Sequence, residues 1–224
     1  EIWQREEVLG DVVWAIRNWQ PDVIINRFDH RSPGSTHGHH TGSAMLSVRA
    51  FDLAGDPSVY PEQLAHVAPW QPERAFFNTS WWFYGSQEAF NAADKTNLLS
   101  IDLGVYYPQK GLSNTEISAM SRSMHKCQGF GRLGTRGSST EYIELIKGSL
   151  PPDKEDLFAG INTTWSRVEG GAPIGELVSQ LERDYQMSQP AAAVPALLAI
   201  YEAIQDLPEG YWRDVKLAET KTLI

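Results

Sequence analysis

Apolar and polar positions follow two rhythms along this chain. Val8, Leu9, Val12, Val13 and Ile16 recur at the spacing of a one-sided helix, with Glu6, Glu7, Asp11 and Arg17 on the other face. Pro21 ends that helix. Residues 22–26 carry the unbroken run Val23, Ile24, Ile25, which predicts a short strand in a sheet buried on both faces. A polar loop follows. Ala44, Met45, Val48 and Phe51 then predict a second one-sided helix, with Gly55 as its stop. Residues 56–73 are Pro-rich and irregular and hold His66 and Trp70, and residues 74–78 read as a second strand. The aromatic block 81–84 reads as core rather than as a sugar platform. Residues 99–103 alternate like a strand with one polar face. Helix, strand, polar loop and helix in succession predict a parallel sheet.

Ser113 and Glu116 form a capping-box signature. The helix behind it carries Ile117, Met120 and Met124 on its apolar face, and His125 and Gln128 stand near its end. Gly129, Gly131, Gly134 and Gly137 make a loose loop containing Arg132 and Arg136. This is not a phosphate loop, because no GxxxxGK[ST] pattern is present. Residues 141–146 read as a further strand or a short helix. From Pro151 the composition shifts. Ile174, Leu177, Val178 and Leu181 mark one amphipathic helix, Val194, Leu197, Leu198, Tyr201 and Ile204 another, and a third starts at 211. The pattern predicts an α/β domain over residues 1–150. Residues 151–224 form a linker and a C-terminal helical appendage.

Composition narrows the function. The chain has 224 residues, 42% apolar and 21% charged, as an ordinary globular protein has. Its net charge of −9 argues against nucleic-acid binding. Cys127 is the only cysteine, so neither an internal disulfide nor a thiolate zinc site can form, and it reads most simply as a small buried residue. No run is long and apolar enough to span a membrane, and no signal peptide is visible. The compartment stays open, cytoplasmic or exported. Both ends read as cuts in a longer parent chain: the first residues enter a helix pattern without a cap, and Leu223 and Ile224 form an apolar ending.

The candidate chemistry lies in residues 26–42, between the first strand and the second helix. Four of the six histidines are here: His30, His37, His39 and His40. Imidazole is the commonest nitrogen ligand for zinc, and the carboxyl end of a strand is where an open α/β sheet places its chemistry. His37 and His40 lie three apart just before a helix and can face one pocket, where the helix amino terminus favours a developing oxyanion. The plainer alternative is a solvated loop whose histidines only cap and fill. Arg27 and Asp29 either orient a histidine and bind substrate, or form a local ion pair. His125 is equally a pocket residue or a charge placed against a helix C-terminus. A zinc site built wholly from Asp29, His37, His39 and His40 is a further option.

Three stretches together resemble the PIG-L (LmbE-like) deacetylase family over roughly residues 1–150. The first is the strand at 21–25 leading to Thr36-His37-Gly38-His39-His40-Thr41-Gly42, similar to the family's H-P-D-H segment and its helix. The second is Leu103-Gly104-Val105-Tyr106 leading into the Glu116 helix. The third is His125-Lys126-Cys127-Gln128, similar to an H-x-S-Q segment. The resemblance implies a Rossmann-like α/β fold. It also implies a zinc-dependent hydrolase that removes an acetyl group from an N-acetylglucosamine-type amide. His40 would be a zinc ligand. His37 and His39 would be the catalytic pair, with His37 at the oxyanion. His39 stands in place of the Asp that orients a neighbouring His. Arg27, Asp29, His125 and Gln128 would contact substrate. Gly38 stands where the family has Pro. The family's A-H-P-D-D motif, with two zinc ligands and the general base, is absent from these residues. The other Zn2+ ligands are therefore expected outside the chain, and the 224 residues alone are expected to be inactive. The alternative is a carbohydrate-binding or structural module of the same fold without catalysis.

Overall fold

The computed structural model describes residues 4–32, 36–129, 131 and 133–224. Arg132 therefore lies outside the described residues. The chain divides into two compact units, Glu1–Gly160 and Ile161–Ile224.

The first unit is mixed α/β. Helix α1 (Arg5–Trp19) precedes strand β1 (Val23–Asn26), and helix α2 (Gly38–Leu53) follows the His loop. After them come β2 (Arg74–Thr79), α3 (Gln87–Ala92), β3 (Leu98–Asp102), the small hairpin β4 (Tyr106–Tyr107) and β5 (Leu112–Ser113), α4 (Asn114–Ser123) and β6 (Thr140–Gly148). The main sheet has the order β1-β2-β6-β3. Among the described residues only β1 and β2 pair in parallel; β6 runs antiparallel to both β2 and β3. The sheet is thus mixed, not parallel as the element succession predicted. A returning strand can pair antiparallel with its predecessor without a crossover helix. Residues 141–146 belong to a strand.

Two cores flank this sheet, as the alternation of side chains along a strand dictates. Leu9, Val13 and Ile16 of α1 pack with Leu46, Ala50 and Ala54, and Ile24 joins them from β1. Val23 turns to the opposite face, with Phe76, Leu99, Ile143, Leu150 and Leu157. Ile25 is 49% exposed, so the expectation of a strand buried on both faces fails at an edge strand with a single neighbour. Arg17, expected on the polar face of α1, is buried. Its guanidinium donates to the carbonyls of Ala54, Asp56, Val59 and Tyr60 and to Gln63 Oε1, and so pins the irregular segment after α2. Arg74 does the same for the segment after β6, donating to the carbonyls of Ser149, Leu157 and Ala159.

Other expectations also need correction. Met45, Met120 and Met124 are exposed rather than core-facing. Helix α2 closes at Ala54 in a right-handed conformation. Gly55 is no left-handed stop, but its missing Cβ leaves room for the Gln71 side chain. The capping box forms as predicted, with Ser113 Oγ accepting from the Glu116 N–H and Glu116 accepting from the Ser113 N–H.

In the second unit, α5 (Ala172–Asp184), α6 (Val194–Gln205) and α7 (Tyr211–Leu223) surround Ile174, Ile200, Ile204 and Leu207. Among the described residues no helix is long and apolar enough to cross a membrane.

Candidate functional site

Strands β1, β2 and β3 run the same way, so their carboxyl ends and the amino end of β6 share one edge of the sheet. The His loop leaves β1 at this edge. Cross-strand register aligns Asn26, Phe77, Glu144 and Leu98 in one row across the four strands.

Two anchors fix the first half of the loop. Arg27 Nη1 donates to Asn78 Oδ1 (2.9 Å) at the end of β2, and Asn78 Nδ2 donates in turn to Glu141 Oε2 (3.0 Å). Arg31 donates to both oxygens of Glu144 on β6 (2.8 Å each) and through Nε to Asp29 Oδ1 (2.8 Å). Two parallel bonds to one carboxylate are the strong, oriented form of an Arg–carboxylate pair. Asp29 also accepts from the Arg31 N–H and from Ser32 Oγ. Burial pushes its carboxyl up, but the hydrogen bonds from Arg31 and Ser32 outweigh this and hold it below the ordinary value. Asp29 thus pairs with Arg31 rather than with Arg27 and also faces the His30 ring, Oδ1 3.6 Å from Nδ1, while Arg27 is held by Asn78.

Phe28 lies between these anchors in sequence and stacks on the His40 ring, centroids 3.9 Å apart and planes within 7°. His37 is the residue before the first turn of α2, and its carbonyl accepts the His40 N–H (2.9 Å). The ring centroids of His37 and His39 lie 5.5 and 4.1 Å from that of His40. His37 and His39 are exposed, and His40 is half-buried. Burial, and then the neighbouring His39 and His37, push the His40 pKa down, which favours the neutral, ligating form. Burial and the Arg31 charge push His30 down as well.

Among the described residues, three buried polar atoms in this stretch have no hydrogen-bond partner: Asn26 Nδ2, His40 Nδ1 and His30 Nδ1, the last of which still lies 3.6 Å from Asp29 Oδ1. Buried polar groups are nearly always paired, so Asn26 Nδ2 and His40 Nδ1, without a partner among the described residues, can take a further group. A zinc ion fits the His40 imidazole by donor chemistry and by its unclaimed Nδ1. The complete loop-only site does not form. Asp29 is taken up by Arg31 and Ser32, and among the described residues no three His, Cys, Asp or Glu side chains converge to hold a metal.

His125 and Gln128 sit at an exposed 3-10 turn after α4, away from the His loop in sequence. Cys127, expected to be buried, is exposed in that turn. Trp81 and Trp82, expected in the core, are 50% and 52% exposed just beyond β2. Sequence reasoning missed Phe28, Arg31, Asn78, Glu141 and Glu144. Only the charge of Glu141 and Glu144 within a strand pattern hinted at them; the partners of these two lie 63 and 113 residues away. No protein-family model matches the chain, and no curated protein matches it.

Proposed function

We propose that this chain carries part of the active site of a PIG-L-type, zinc-dependent N-deacylase on a Rossmann-like fold, acting on an N-acetylglucosamine-type amide. The observation that carries the reading is the His40 imidazole. It is stacked on Phe28, is disfavoured from protonating, and keeps a buried nitrogen without a hydrogen-bond partner among the described residues. The shared carboxyl edge of β1 and β2 supports the reading, because open α/β sheets bind ligands there.

In this reading His40 holds zinc together with ligands from elsewhere in a longer parent chain. When bound, zinc supplies a water acidic enough to serve as a nucleophile near neutral pH. His37 lies beside the first N–H groups of α2, where an imidazole and a helix amino terminus together stabilise an oxyanion. His39, next to His40, supports its orientation. Arg27 and Asp29 hold the loop to the sheet edge, and His125 and Gln128 contact substrate.

A carbohydrate-binding module without catalysis is the second reading. The half-exposed Trp81 and Trp82 favour it, since such rings can stack on sugars.

Zinc content by elemental analysis decides between them. It is measured on the 224-residue chain and on a longer parent chain carrying an A-H-P-D-D motif, each with and without His40→Ala, alongside acetate release from N-acetylglucosamine. Zinc in the longer chain, lost with His40→Ala and accompanied by acetate release, supports the deacylase. Zinc-free protein that still binds sugar supports the module.

A further inference from the structure

The excursion between β3 and β6, residues 103–139, has almost nothing buried. Among its described residues only Ser113 and Ala119 are buried. Among the described residues of the first unit, seven of the thirteen exposed large apolar side chains stand on it. Leu133 is 90% exposed, Met124 71% and Met120 61%. Polar links nonetheless fix its shape. Ser113 and Glu116 close the capping box of α4. Arg136 pairs with Glu116 (3.0 Å) and donates to the Gly111 carbonyl (3.0 Å) in the turn between β4 and β5. Ser113 Oγ donates to the Thr135 carbonyl (2.7 Å), and Gly134 packs on the Glu116 backbone where a Cβ would have no room. Apolar side chains held outward on a frame of hydrogen bonds mark an interaction surface already shaped for its partner.

Charge selects the partner. Lys110, Arg122, Lys126, Arg132 and Arg136 against the single acid Glu116 give the excursion +4 within a chain of −9, which leaves −13 for all other residues. Glu116 is itself engaged by Arg136 and the Ser113 N–H. A cleft of about 430 Å³ opens between α4 and the start of β6, lined by the apolar Leu103, Ile117 and Leu133 with Arg122 beside them. Its one carboxylate, Glu141, already accepts from Asn78 Nδ2 (3.0 Å). Arg136 lies over the Tyr106 ring (5.1 Å) and Lys110 over Tyr107 (5.6 Å), so cations and apolar surface alternate at close range. Tyrosine, methionine and arginine are the side chains that protein interfaces concentrate. An anionic membrane or a nucleic acid is an extended body of charge, which the −13 elsewhere on the chain opposes. A short acidic segment meets this face alone, since charges beyond about 8 Å are largely screened.

We propose that the face between β3 and β6 docks an acidic polypeptide segment of a partner protein. An apolar side chain of that segment fills the cleft beside α4, and its carboxylates meet the Lys110 and Arg122 charges. The docking needs neither zinc nor His40, so it stands or falls apart from the deacylase reading.

The test titrates a glutamate–tyrosine copolymer and polyglutamate of matched length onto the 224-residue chain by calorimetry, beside heparin and phosphatidylserine vesicles. The copolymer is expected to bind at least about tenfold tighter than polyglutamate, because only it brings a ring for the cleft. Leu133→Ser removes no buried group; it is expected to weaken the copolymer about fivefold and leave polyglutamate unchanged. Lys110→Gln is expected to weaken both polymers about threefold. His40→Ala is expected to change neither. Equal affinities, no copolymer binding, or no effect of Leu133→Ser overturns the proposal. Tighter binding of heparin or of the vesicles overturns it in favour of a polyanion or a membrane. Dimers in sedimentation that Leu133→Ser abolishes overturn it in favour of a second copy of this chain. Copolymer binding lost with His40→Ala overturns it by moving the contact to the His loop.

Discussion

Replacing Arg17 with methionine keeps most of the side-chain volume but removes every donor from the anchor beneath the segment after α2. Five main-chain carbonyls lose a donor: the four closest, those of Ala54, Asp56, Val59 and Tyr60, at 3.0, 2.7, 2.9 and 3.2 Å, and Leu53 at a longer 3.4 Å that adds little. A buried acceptor left unpaired costs about 1–3 kcal/mol. The segment borders solvent and can relax, so the low end applies, about 1 kcal/mol per carbonyl and about 4 kcal/mol in all. Removing a buried cation that has no carboxylate in its hydrogen-bond set returns some desolvation energy, which brings the expected loss to about 3 kcal/mol. For a unit of this size that corresponds to a Tm drop of roughly 6–12 °C. Urea unfolding followed by tryptophan fluorescence and far-ultraviolet circular dichroism measures it. Arg17→Lys, with one compact donor group, is expected to fall between the two. A loss below about 1 kcal/mol for Arg17→Met would refute the claim that this guanidinium anchors the segment.

Arg74→Met is expected to loosen residues 149–159 while leaving the sheet paired. Hydrogen exchange should rise at the amides of Phe158 and Ala159 and stay slow at Phe76 and Phe77; uniform acceleration would contradict a local anchor. The pH dependence has a definite sign. The folded His40 pKa lies below the ordinary 6.5, so its contribution is complete above that value and is lost as pH falls through the folded pKa. Stability should therefore drop between pH 7 and pH 5, and His40→Phe should flatten the drop; an NMR midpoint for His40 at or above 6.5 would contradict this.

Where local chemistry and global packing agreed, the sequence was enough. Leu9, Val13 and Ile16 form the buried stripe of α1, and Ser113 and Glu116 close the capping box, because caps and stripes depend on spacings of three or four residues. Arg17 stands four residues after Val13 on that same stripe, but a positive charge does not advertise burial. Only the carbonyls brought to it from residues 54–60 make burial tolerable. The aromatic block misled for the opposite reason. Trp81 and Trp82 are apolar enough for a core, yet they follow β2 where it leaves the sheet, and about half of each stays exposed.

The histidine-rich loop after a strand was visible in the residues alone, and so was its place before a helix. Its geometry was not. Phe28 on His40, Arg31 on Glu144 and Arg27 on Asn78 are contacts between segments that only the sheet register brings together. The sequence by itself determined which side chains are present and which short stretches coil or extend, since these follow from neighbours along the chain. The tertiary structure decided that β6 would insert antiparallel beside β2, and so which carboxylates meet the loop. Strand pairing is chosen by the burial of whole faces, and no local window of sequence contains that information.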